Sequence, residues 1–128
     1  MAGPYRAFAA LAIFLALVSP IACLAGPYED GDAAFHRKDY AAAMELWRPL
    51  ADGNDARAQA GLAAIYMSGL GVNQDYAEAL FWAEKAANQG EAHAQYLVGS
   101  MYRDGKGVEK DLLRAADLFR KSADQNFA

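Results

Sequence analysis

Cysteine is almost missing from this 128-residue chain: Cys23 stands alone. A single thiol cannot form an internal disulfide or a thiolate-rich metal centre. Histidine is nearly as scarce. His36 and His93 fall in separate segments, without an acidic or cysteine partner at ligand spacing, so no metal site and no cofactor are expected. Ser68, Ser100 and Ser122 lack a nucleophile-elbow or Ser-x-x-Lys setting. Positive charge is the minority, with 12 basic residues against 16 acidic and a net charge of −4. That balance argues against nucleic acid or anionic lipid as the main partner.

What is present first is an apolar leader. Between Met1 and Ala25 the only charged side chain is Arg6, and "AFAALAIFLALV" (Ala7–Val18) follows it. A basic start, a short apolar run and small residues at Cys23 and Ala25 are the marks of a secretory signal peptide over residues 1–25. Cleavage after Ala25 predicts a periplasmic or secreted protein without a stable membrane span. The run is short for a permanent anchor, and Pro20 interrupts it. Lipid attachment at Cys23 is the alternative, but Pro20 stands where a lipobox has leucine.

Internal repetition dominates the remainder. Asp55–Gly90 lies over Glu91–Asn126 without a gap, and the two 36-residue units agree at 12 positions. The agreements extend from Ala58/Ala94, Gln59/Gln95 and Tyr66/Tyr102 through Asp75/Asp111 to Ala79/Ala115 and Gln89/Gln125. Each unit reads as two helices. Ala58, Leu62, Ile65 and Tyr66 form one apolar stripe at helical spacing, matched by Ala94, Val98, Met101 and Tyr102. The second helix opens at Asp75, with Asp75-x-x-Glu78 resembling a capping box, and at Asp111 in the next unit. A degenerate hairpin occupies 26–54, with a tight turn at Arg37–Asp39 and a conflict at Pro49, which disfavours the end of its second helix. Trp47, Trp82 and Phe119 on the second helices are expected between units.

Two Gly-rich turns link the helices, "MSGLGVNQD" and "RDGKGVEKD". Gln74 and Lys110 replace the third glycine of a dinucleotide fingerprint, so these turns reverse the chain rather than cradle a phosphate. Gly69, Gly71 and Val72, with Gly105, Gly107 and Val108, are the structural turn positions. Asp75 and Asp111 at equivalent places are explained as helix caps rather than as an acid–base dyad.

The run A-x-A-Q … Y-x-x-G-x-G-V-x-x-D-x-x-x-A … K-A-A resembles the Sel-one-like repeat family, a relative of the tetratricopeptide repeats. The resemblance implies an all-α, short right-handed α-solenoid of stacked antiparallel helix pairs. It also implies a non-catalytic interaction or scaffold module of the bacterial envelope that binds an unidentified protein or peptide. A cysteine-rich subset of the family has been linked to β-lactams, so an envelope enzyme acting on peptidoglycan or a β-lactam is the alternative.

In such a stack the first helices line the concave side. The expected partner surface is Arg57, Ala60, Ala64 and Met67 on one helix and His93, Tyr96, Ser100 and Arg103 on the next. It is expected to accept an extended peptide or an acidic segment, the arginines supplying bidentate carboxylate contacts. Tyr96 is its aromatic anchor. Open ends and Phe127 add an expectation of self-association.

Overall fold

All but the first helix start where a side chain takes up free backbone donors. The computed structural model describes residues 26–125, which form six helices: α1 (Pro27–His36), α2 (Tyr40–Asp52), α3 (Ala56–Ser68), α4 (Tyr76–Asn88), α5 (Ala92–Asp104) and α6 (Leu112–Ala123). The leader, Asn126 and Phe127 lie outside the described residues. Proline opens α1 at a position where the missing N–H is no loss. Asp39, Asp55, Asp75, Glu91 and Asp111 each accept a backbone N–H of the helix that follows.

The capping-box expectation is corrected in one respect. The Asp75 N–H donates to the Tyr66 carbonyl at 2.9 Å rather than to Glu78. Asp111 repeats this bond to Tyr102 at 2.9 Å. The second helix of each pair is thereby tied to the end of the first. Pro49 is corrected as well, because α2 runs through it to Asp52. The carbonyl deprived of its donor belongs to Glu45, an exposed residue open to water.

The turns behave as the sequence predicts. Gly69 and Gly105 end their helices in the left-handed region, at φ +67° and +66°. Gly71 and Gly107 are left-handed too and have a second constraint. A Cβ on Gly107 would sit 2.8 Å from the Tyr76 carbonyl oxygen, and one on Gly71 would lie 3.1 Å from the Tyr40 Cβ. Each turn therefore lies directly on the second helix of the preceding pair. Val72 and Val108 pack partly buried against the core.

Helices pack as α1–α2, α3–α4 and α5–α6 pairs, with α2 against α3 and α4 against α5. First helix α3 also touches first helix α5. The core is alanine-rich, with Ala34, Ala43, Ala58, Ala83 and Ala86 fully covered around Leu62 and Ile65. Trp47 and Trp82 are buried, whereas Phe119, on the last helix, is only partly covered. The matched glutamines form partly buried links. Gln59 donates to the Ala51 carbonyl at 3.0 Å and accepts from Gln89 at 2.9 Å. Gln125 donates to Gln95 at 2.9 Å in the same way.

Counting back from the ends of α1, α3 and α5 brings Tyr28, Ala60 and Tyr96 into register, and likewise Gly31, Ala63 and Gly99. Their counterparts on the second helices are Trp47, Ala83 and Phe119. The three pairs thus read Tyr-Gly-Trp, Ala-Ala-Ala and Tyr-Gly-Phe. The ring contacts follow this register: Tyr28 stacks on Trp47 at 5.7 Å and Tyr96 lies 5.4 Å from Phe119. A Cβ on Gly31 would overlap the Trp47 indole, and one on Gly99 would lie 2.9 Å from the Phe119 ring. Where the second helix carries a ring, its partner gives up a side chain.

Candidate functional site

Side-chain size decides where this surface opens. Trp47 reaches from α2 between two glycines, Gly31 on its own partner helix and Gly61 on α3, whose Cβ would lie 2.5 Å from the indole. With Gly61 and the small side chains of Ala60 and Ala64, the middle first helix presents little bulk beside α1. A cavity of about 350 Å³ results. Its walls are Tyr28, Asp32, Phe35 and His36 from α1, the Arg57–Ala64 side of α3, and Glu91 and His93 at the start of α5. All three first helices contribute to it.

The eight expected partner-binding residues divide. Arg57, Ala60, Ala64 and His93 come together in the cavity. Arg57 is exposed, and Ala64 and His93 are half-buried. Ala60 is only 4% exposed, packed with Ala86 of α4 and Ala94 of α5, so it is floor rather than contact surface. Ser100 is a correction: it is 5% exposed, and its hydroxyl donates to the Tyr96 carbonyl at 3.0 Å. Met67 packs partly buried against the core. Tyr96, 39% exposed, stands with Phe119 and Arg103 in a separate aromatic station at the C-terminal end.

Neither arginine is poised as the sequence suggests. Arg57 lies over the Tyr28 ring at 4.1 Å and pairs with Glu29 at 3.5 Å and Asp55 at 3.6 Å. Arg103 makes two bonds to Asp104, at 2.9 and 3.1 Å. Those bonds hold the Asp104 carboxyl below its ordinary range and the Arg103 guanidinium above its own. The forks expected to grip an acidic segment already hold carboxylates of this chain.

Sequence reasoning missed Tyr28, Asp32, Phe35, His36 and Glu91. Tyr28, Asp32 and Phe35 fall at helical spacing on one face of α1, a signal the sequence does carry. His36 and His93 line the same cavity although they lie in different pairs. From the sequence no acidic partner at ligand spacing is expected for His36; in the structure its Nδ1 is 3.6 Å from the Asp32 carboxylate and 2.8 Å from the Asp32 carbonyl. Among the described residues, no group of three or more potential ligands is arranged to hold a metal ion. Burial first, then the nearby Asp32 carboxylate, pushes the Tyr28 phenol above its usual value. The site therefore combines aromatic walls, a floor of small residues and carboxylates.

Comparison with known proteins matches the Sel1 repeat model three times, over residues 22–55, 56–91 and 92–127. No curated protein matches the chain. Among solved structures, a Sel1 repeat protein from Oxalobacter formigenes is 34% identical with a TM-score of 0.70, covering 75% of this chain and 40% of that one. The protein c5321, a protective antigen of uropathogenic Escherichia coli strains with an SLR fold, is 32% identical with a TM-score of 0.70. That match covers 78% of this chain and 22% of the antigen, so this chain spans less than half the length of either relative.

Proposed function

The chain belongs to the Sel1 repeat family, and from that premise we propose that it is a non-catalytic scaffold of the bacterial cell envelope that binds a protein partner in the cavity of its first helices. Sel1 repeats are protein-interaction scaffolds, and six helices without a strand among the described residues make a solenoid of that kind. The observation that carries the choice of face is the convergence of α1, α3 and the start of α5 on one cavity of about 350 Å³. It is open and partly apolar, which suits part of a partner segment rather than a whole small substrate. The apolar leader before Gly26 supports export. The description of one relative as a protective antigen is in keeping with that placement.

Blocking the cavity tests the proposal. Ala64→Trp places an indole where a half-buried methyl now lines the wall. Affinity capture from a native envelope extract, with tagged parent and variant side by side, reads the outcome. A partner retained by the parent is expected to fall at least about tenfold with Ala64→Trp, as for a central interface position. Circular dichroism should show unchanged helix content. Equal recovery by a folded variant contradicts the choice of face.

A further inference from the structure

The cavity carries a charge pattern that narrows its partner. Resting on the reading that this is the partner site, we infer that it takes a basic side chain, lysine or arginine, from the bound protein. Asp32 and Glu91 would receive the cation, and its aliphatic stem would lie along Phe35 and the small-residue floor. The occupant is a segment of a partner protein, and the argument is charge complementarity.

Arg57 is the one lysine or arginine lining the cavity, and it is already spent. It lies on Tyr28 and shares its charge between Glu29 and Asp55. Asp32 and Glu91 line the cavity in addition, so four carboxylates stand in or beside it against one guanidinium. An acidic segment entering here would meet uncompensated negative charge, whereas a cation would relieve it.

Both receiving carboxylates retain acceptor capacity. Glu91 caps α5 through Oε2, 2.6 Å from the Ala94 nitrogen, leaving Oε1 for a second donor. His36 Nδ1 lies nearer the Asp32 carbonyl, at 2.8 Å, than the Asp32 carboxylate, at 3.6 Å. The two acids stand on different helices, so a side chain entering between them meets acceptors from two sides. Phe35 adds aromatic surface, which favours a cation or its apolar stem. The Tyr28 phenol is raised first by burial and then by the Asp32 carboxylate, with Arg57 opposing. The acidic balance of the whole chain acts in the same direction, steering a basic segment toward it.

Phage-displayed random peptides selected on the purified full chain supply a probe that assumes no partner. Amide chemical-shift mapping then locates the enriched peptides. The expected result is enrichment of lysine or arginine at one position, with shifts at α1, Ala64 and His93. Binding should weaken as salt rises and fall about threefold in Asp32→Asn. It should fall about tenfold in Asp32→Asn with Glu91→Gln, which keeps a capping oxygen on α5. Acidic or uncharged peptides mapping to the same amides would overturn the inference and leave the proposed function standing. Affinity unmoved by both variants would have the same effect. Peptides mapping elsewhere, or no enrichment over an unrelated helical protein, would overturn both.

Discussion

Trp47 and Phe119 hold corresponding places at opposite ends of the stack, and their surroundings differ. Trp47 lies between Gly31 and Gly61, stacks on Tyr28, donates its indole N–H to the Tyr28 carbonyl at 3.1 Å and is 3% exposed. Phe119 faces Gly99 and Tyr96 on its own side, has no following hairpin among the described residues and remains partly exposed. Between them Ala83 takes the same place, and the next first helix then carries buried Leu97 where Trp47 meets Gly61. Ring size on a second helix is thus matched twice, by its own partner helix and by the next hairpin. The cavity lies where the larger ring is accommodated by glycine, and small residues leave the adjoining surface low.

The largest expected effect comes from breaking that match across hairpins. Gly61→Leu drives a side chain into the Trp47 indole, whose ring carbon is 2.5 Å from the position of the new Cβ. Urea unfolding should show a loss of about 3 kcal/mol. Adding Trp47→Ala recreates the Leu97/Ala83 combination. The double variant should therefore be about 1–2 kcal/mol more stable than the sum of the single losses. Additive losses would break the comparison.

A smaller effect separates the two ends. Gly31→Ala should destabilise by about 2 kcal/mol, since Trp47 is held on both sides and cannot yield. Gly99→Ala should cost less than about 1 kcal/mol, because Phe119 has an open side and alanine favours the helix. Thermal unfolding of the two variants reads the order. Equal losses would mean that the neighbouring hairpin does not hold the ring.

Much of the fold is legible in the sequence because its turns and caps repeat. The 36-residue spacing places Gly69, Asp75 and their copies at positions where local chemistry determines the backbone. The cavity side is legible only in part. The Arg37–Asp39 turn is four residues shorter than the Gly69–Asp75 turn, which shifts α1 out of the 36-residue register. The repeat register therefore does not place Tyr28, Asp32 and Phe35 beside Arg57 and His93. Ala60 and Ser100 fall on the stripe the sequence marks as open, but periodicity does not reveal that α3 presses on α5 or that a serine bonds back to its own helix. Gln59 and Gln89 match their copies in sequence, yet their mutual bond, 30 residues apart, appears only once the hairpin closes. The engagement of both arginines is likewise hidden until the carboxylates around them are placed.

The proposed partner face is the cavity end of the first helices. A photo-crosslinking amino acid placed in living cells at position 64, on the cavity wall, and in parallel at position 113, where Leu113 is 87% exposed on α6, addresses it directly. A discrete crosslinked species is expected from position 64 and not from position 113. A product at 113 with none at 64 would contradict it.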